Sequence, residues 1–197
     1  MDILELNRSA VLESVRILEA AGPIDWEIPT PCTEWTLRQL VEHMAVQHYG
    51  FAAATRGEAR ELADWQPVPL GGDPLDGYRE SVQAVLDAFA EPGVLTRDFT
   101  LPEITTQIAF PGRVAIGFHL LDYVAHSWDV AAALGVPSEP SPELAEAALA
   151  VALRVPDDER RRTPDAQFQP GIQPAAGAGT FDLFLYSIGR APGWSKP

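Results

Sequence analysis

The sequence predicts an all-α fold: a bundle of four helices with an additional short C-terminal helix and long connecting loops. Two observations lead to this prediction. Four long segments carry apolar residues at helical spacing, and segments rich in proline and glycine separate them. The length of 197 residues and the absence of an internal repeat indicate a single domain over residues 1–197.

The first two helices are marked by signals at their ends. Residues 3–21 carry apolar side chains at helical spacing until a Gly-Pro pair ends the pattern. A loop with two prolines follows. Thr36 is then a good N-cap, and Gln39 three residues later completes a capping box, so helix two should run over residues 37–55.

The third helix should begin at Asp73-Pro74, where a capping residue precedes a proline in the first helical position. Residues 94–111 differ in character, because they are rich in Thr, Ile and Phe and predict short extended segments. Pro102 and Pro111 argue against a central strand in this stretch.

Helix four is predicted over residues 112–134, with Gly135 as its C-cap. Residues 142–153 should form a fifth helix after a Ser-Pro start. The glycines and prolines of residues 157–180 predict an irregular loop, and residues 181–190 a terminal helix.

Composition narrows the class of protein. The net charge of −14 argues against nucleic acid and against an anionic membrane as partners, because both select basic surfaces. Cys32 is the only cysteine, so an intrachain disulfide cannot form. With no signal peptide and no apolar run long enough for a membrane span, we expect a cytoplasmic protein that acts on a small molecule. The oligomeric state, including a homodimer, stays open.

Three polar residues interrupt the apolar surface of the predicted fourth helix. His119, Asp122 and His126 are three and four residues apart and share one stripe of the helix. Asp122 and His126, one turn apart, can ligate one ion together. His43 on helix two faces inward and is the candidate third ligand, whereas His48 points about 140° away from it.

Two interpretations of these residues compete. Two imidazoles and a carboxylate buried in a bundle would each cost several kcal/mol if unpaired, and a divalent cation would satisfy them at once. Such a site leaves coordination positions open, as catalytic sites do. Zn is the first candidate metal, and ligand type alone leaves Ni and Fe open. The alternative is a buried Asp122–His126 hydrogen bond, with His43 satisfied separately.

Four further residues are candidates for lesser roles. His119 is a second-shell group, a proton donor or a packed core residue, and Asp129 either caps a loop or orients an imidazole. Arg113 either holds a carboxylate of the substrate or of a thiol, or is a solvated surface arginine. Cys32 is either a nucleophile or a small buried apolar side chain. The sequence contains no nucleophile elbow, phosphate loop or dinucleotide fingerprint, and catalytic residues remain unknown.

Three segments resemble a known family. TPCTEWTLRQLVEHM, DYVAHSWDVAAALG and LYSIGRAPGW follow each other along the chain. They look like the loop-to-helix segment, the acidic-residue-to-His motif and the C-terminal Gly-Arg-x-Pro-x-Trp of actinobacterial DinB-like proteins. These are related to the N-terminal domain of mycothiol-dependent maleylpyruvate isomerase.

The resemblance implies a DinB-like bundle that holds a metal at His43, Asp122 and His126, with mycothiol as co-substrate. The isomerase has Glu where Asp122 stands, so here either the helix lies nearer the ion or a water intervenes. These 197 residues leave no room for the isomerase's second domain, and we do not expect maleylpyruvate as the substrate.

The resulting expectation is a mycothiol-dependent transferase or isomerase acting on an electrophilic small molecule. The alternatives are a metal-dependent hydrolase and a non-catalytic binding module.

Overall fold

The computed structural model describes residues 1–32, 35–58, 61–163 and 166–196. The helices of the described chain are α1 (Ile3–Ala20), α2 (Leu37–Ala54), α3 (Pro74–Phe89), α4 (Gly112–Leu134), α5 (Pro142–Ala152) and α6 (Thr180–Ser187). The strands are β1 (Asp98–Leu101) and β2 (Thr105–Pro111).

Helices α1 to α4 form a four-helix bundle. Helix α1 packs along α4 and α2 packs along α3, while contacts of α2 with α4 and of α1 with α3 close the bundle. Helices α5 and α6 pack against each other, and α5 also contacts α4. The predicted all-α class is confirmed, and the arrangement fits a DinB-like helical fold. None of the described helices is long and apolar enough to span a membrane.

The ends of the bundle helices follow the local signals in the sequence. Thr36 and Gln39 form the predicted capping box at the start of α2. Helix α3 begins at Pro74, and the side chain of Asp73 accepts a hydrogen bond from the first turn. Helix α4 ends at Gly135, whose φ of 70° is the left-handed conformation that favours glycine. The predicted bounds of these helices are therefore confirmed to within one or two residues.

A small hairpin interrupts the helices between α3 and α4. Strand β1 pairs with β2 in antiparallel register, and residues 102–104 form the turn. Phe99 and Leu101 are buried in the core, whereas β2 is mostly exposed. The extended segments predicted in this region are present, and the turn lies beside the cavity described below.

Within its described residues, the predicted loop over residues 157–180 contains one short 3₁₀-helix, Glu159–Arg162. Arg161 is buried and its guanidinium donates to four backbone carbonyls, among them that of Ser187 at 2.7 Å. These bonds fasten the segment to the end of α6. Helix α6 ends at Ser187, three residues before the predicted end, because the chain turns at Gly189 with a φ of 76°.

Candidate metal centre

The three predicted metal ligands, the trio of His43, Asp122 and His126, lie together between α2 and α4. One ligand atom from each of His43, Asp122 and His126 lies within 4.8 Å of the other two. His126 Nε2 is 3.3 Å from Asp122 Oδ1, and the rings of His43 and His126 meet edge to face with centroids 5.3 Å apart. The sequence thus identified a group of side chains that the fold brings together.

Helical spacing and one aromatic contact position these side chains. Asp122 and His126 are one turn apart on α4, so both face the same side of the helix. His43 reaches them from α2, and the ring of Trp35, just before α2, packs on His43 with centroids 4.6 Å apart. The proline-containing loop before α2 therefore forms one wall of the site.

Asp129 fixes the orientation of the His126 ring. His126 Nδ1 lies 2.9 Å from Asp129 Oδ2. Burial alone would raise the pKa of Asp129, but the Arg190 guanidinium and His126 hold it well below its usual value. The ionised carboxylate can only accept, so Nδ1 of His126 carries the proton and Nε2 faces Asp122. Of the two predicted roles for Asp129, the structure supports the orienting one.

The electrostatics of the trio suit a cation. Burial and the neighbouring His126 lower the pKa of His43 to about 4, so this imidazole is neutral at pH 7. Burial opposes ionisation of Asp122, but His126 outweighs it and lowers the pKa of Asp122 to about 2. Burial likewise lowers the pKa of His126, yet Asp122 and Asp129 raise it well above its usual value. A bound cation would take the place of the proton on Nε2 of His126.

The donor set fits a divalent transition metal. Within the described residues, His126 is the one ion-pair partner of Asp122, and no second hydrogen-bond donor reaches its carboxylate. No hydrogen bond to the His43 ring occurs in the same part of the chain. Two imidazoles and one carboxylate are the ligand set of open zinc sites, which leave at least one position for water or substrate.

A second group of potential ligands, Cys32, His126 and Asp129, lies just behind the first. Arg190 makes a two-pronged ion pair with Asp129, both contacts at 3.0 Å, and its Nη2 lies 3.3 Å from Cys32 Sγ. A cation bound to this second group would be repelled by the buried Arg190 guanidinium, which contacts both Asp129 and Cys32. The second group is therefore a buried ion-pair network that supports His126.

Cys32 belongs to this network as a hydrogen-bond donor. Its Sγ lies 3.1 Å from Asp129 Oδ2, and burial together with the Asp129 charge raises the pKa of the thiol. A thiol with a raised pKa stays protonated and is a poor nucleophile. Of its two predicted roles, the geometry favours the packed one.

The trio opens onto a large cavity of about 1120 Å³. Helices α2 and α4, the hairpin turn, the segment after α5 and the C-terminal residues after α6 form its walls. Four arginines line it: Arg154, Arg161, Arg162 and Arg190. Only two carboxylates, Glu103 and Asp122, are found among its described lining residues, so arginines outnumber carboxylates in the lining although the whole chain is strongly acidic.

Two residues predicted near the site lie elsewhere. His119 is fully buried in the bundle core, where its Nδ1 accepts from Asn7 Nδ2 at 2.8 Å and its ring stacks on Tyr123. Arg113 is exposed in the first turn of α4 and does not line the cavity. Of the three predicted roles of His119, the geometry favours the packed one, and for Arg113 it favours a surface arginine over a substrate-binding one.

Sequence patterns did not identify the arginines that line the cavity. Three of them, Arg154, Arg161 and Arg162, lie in segments without periodicity, so their positions in the fold could not be predicted. Arg190 had a signal, since it stands within the LYSIGRAPGW motif.

Comparison with known proteins gives two findings. Residues 8–131 match the family model of the mycothiol maleylpyruvate isomerase N-terminal domain. Two uncharacterized proteins from two strains of Mycobacterium tuberculosis are 33% identical to the chain over 151 residues, which is 73% of this chain and 70% of each relative. No solved structure matches the chain significantly.

Proposed function

The chain belongs to the family of the mycothiol maleylpyruvate isomerase N-terminal domain, and on this premise we propose that it is a metal-dependent thiol S-transferase or isomerase. In this proposal His43, Asp122 and His126 hold a divalent metal, Zn in the first place. Mycothiol is the co-substrate, and the second substrate is an electrophilic small molecule.

The observation that carries the proposal is the position of the trio in the wall of a large open cavity. A structural metal site has four protein ligands and is closed, whereas three ligands beside open space suit exchangeable ligands. The volume of about 1120 Å³ exceeds the range of about 300–1,000 Å³ that is usual for one drug-sized ligand. The space is thus large enough for a thiol and a second reactant side by side.

The bound cation and the residues that contact the trio have different roles in this proposal. A divalent cation held there would lower the pKa of a coordinated thiol, so that a thiolate is present near neutral pH. Asp129 keeps Nε2 of His126 pointing at the site through the 2.9 Å contact with Nδ1. Trp35 covers one side of His43 and limits the access of water.

The charge of the cavity indicates the class of electrophile. Arg154 lines it, and its guanidinium has no ion-pair or hydrogen-bond partner among the described residues, whereas Arg162 nearby pairs with Glu159 at the surface. The Arg154 guanidinium in the cavity wall attracts anions locally, although the chain carries a net charge of −14. We therefore favour an electrophile that bears a carboxylate, such as an α,β-unsaturated acid.

The test combines metal content with thiol-dependent turnover. Wild-type protein is purified beside His43→Ala and His126→Ala, and bound metal is measured by elemental analysis. The zinc-loaded protein is then assayed with a panel of cis and trans α,β-unsaturated acids, with and without mycothiol. We expect about one metal per chain in the wild type, depletion in both variants, and turnover only when mycothiol is present.

A matched control is His48→Asn, a histidine substitution on the same helix that leaves the trio intact. The replacing amide can still donate to Ser81, which lies 2.9 Å from His48 Nδ1. Metal content should be unchanged in this variant. Turnover that needs metal but not thiol would instead indicate a hydrolase, and full metal retention in His43→Ala would overturn the ligand assignment.

A further inference from the structure

Glu103 brings a second carboxyl group to the cavity from the hairpin. It lies in the turn between β1 and β2 and lines the same cavity as the metal trio. Its Oε2 accepts a hydrogen bond from Gln47 Nε2 at 2.8 Å, and its backbone carbonyl accepts from Gln167 Nε2 at 3.2 Å. The side chain and the backbone of this turn residue are therefore both held in place.

Gln47 holds this carboxyl against the face of α2 that carries His43. It stands one helical turn after His43 on α2, so both side chains emerge on the same face. Gln47 is itself buried, with only 5% of its surface exposed. A buried amide that donates to a carboxylate fixes its position without neutralising it.

Glu103 has no ion-pair partner in the described part of the chain, although four arginines line the same cavity. Partial burial raises the pKa of the Glu103 carboxyl by more than the hydrogen bond from Gln47 lowers it, and the charge of Asp122 raises it further. A carboxylate with a raised pKa is a better proton acceptor near neutral pH than one held by an arginine.

We propose that Glu103 is the proton-transfer residue of this site, which rests on the thiol-dependent function proposed above. The S–H bond of the thiol breaks and its proton passes to the Glu103 carboxylate. The sulfur then forms an S–C bond at the β-carbon of the unsaturated acid, and Glu103 returns the proton to the α-carbon. The step is a net addition without oxidation or reduction.

The same carboxyl serves the reverse step. For isomerisation, the adduct rotates about its Cα–Cβ single bond, Glu103 removes the proton from the α-carbon, the S–C bond breaks as the double bond re-forms, and the thiolate recovers the proton from Glu103. One residue that is held in place but not neutralised can therefore serve both directions, whereas a carboxylate bound to a guanidinium would give up its basicity.

The test compares Glu103→Gln with the wild type by calorimetric titration of mycothiol into zinc-loaded protein. Titrations in buffers of different ionisation enthalpy give the number of protons released. The replacing amide keeps a hydrogen-bond acceptor for Gln47 but cannot take a proton. We expect fewer protons to be released from the wild type than from the variant, which should release about one proton per bound thiol, because binding to a metal requires the thiolate.

The matched control is Glu146→Gln, an exposed residue of α5 outside the cavity. It makes the same change of charge and should release as few protons as the wild type. Turnover of the unsaturated acid should fall on the order of 100-fold in Glu103→Gln alone, and its zinc content should remain that of the wild type.

Three outcomes would overturn this role. Equal proton release from the wild type and Glu103→Gln would show that the thiol proton goes elsewhere, while the proposed function would stand. Loss of zinc from Glu103→Gln would make Glu103 a metal ligand. If zinc-loaded wild type bound no mycothiol at all, the proposed function would fail and this role with it.

Discussion

Replacing Asp129 by Asn should strongly destabilise the protein even when no metal is bound. Asp129 is fully buried and receives four contacts: two from Arg190 at 3.0 Å, one from His126 at 2.9 Å and one from Cys32 at 3.1 Å. Asn removes the charge and leaves one acceptor oxygen in place of two. The Arg190 guanidinium then remains buried, at 7% exposure, without a counter-ion.

The size of the effect follows from that burial. Removing one partner of a buried ion pair typically costs about 3–5 kcal/mol, because the other charge stays uncompensated. For a chain of this length, at about 2–4 °C per kcal/mol, the melting temperature should fall by roughly 6–20 °C. An exposed ion pair would cost no more than about 1 kcal/mol.

The assay is urea unfolding of chelator-treated protein, which separates the loss of the ion pair from the loss of metal. Asp98→Asn, an exposed aspartate on β1, is the matched control and should change the free energy of unfolding little. Asp129→Asn combined with Arg190→Met should recover part of the loss, because no charge is then left unpaired. A loss below about 1 kcal/mol in Asp129→Asn would refute the reasoning.

Three further predictions concern the frame around the site. Arg161→Met removes the donor of four hydrogen bonds to backbone carbonyls and should lower the free energy of unfolding in urea by about 1–3 kcal/mol. An unchanged free energy of unfolding would mean that these hydrogen bonds do not stabilise the fold. Gly112→Ala would place a Cβ 1.9 Å from the Val94 carbonyl oxygen, so it should cost at least about 1–3 kcal/mol by the same assay, and wild-type stability would contradict this close approach. Burial lowers the pKa of His119 to about 3 and that of His48 well below its usual value, so both stay neutral in the fold. The unfolded chain takes up these protons as the pH falls below about 6.5, and stability should drop by about 2 kcal/mol for His119 alone between pH 6.5 and 5; a rise in stability over this range would contradict neutral core histidines.

The sequence predicted those features that depend on neighbouring residues. The bounds of α2, α3 and α4 follow from a capping box, a proline in the first turn and a left-handed glycine, all of which are local. The pair of Asp122 and His126 is local as well, because one turn of helix sets their distance. Helical spacing alone could not assign His43 as a ligand. Its predicted inward direction on α2 and the family resemblance were both needed.

Features that depend on tertiary contacts could not be predicted in this way. Arg190 and Asp129 lie 61 residues apart in sequence, and no periodicity links them. Glu103 enters the cavity only because the hairpin folds back beside α2. Helical spacing placed His119 on the same stripe as Asp122, but its ring is fully buried in the core, where it stacks on Tyr123.

X-ray absorption at the zinc edge tests most directly whether mycothiol binds a metal held by the trio. We predict nitrogen and oxygen scatterers alone in the zinc-loaded protein, since His43, Asp122 and His126 contain no sulfur. Addition of mycothiol should bring in one sulfur at about 2.3 Å. Sulfur before addition would place the metal at Cys32 instead, and no sulfur after addition would contradict a metal-bound thiol.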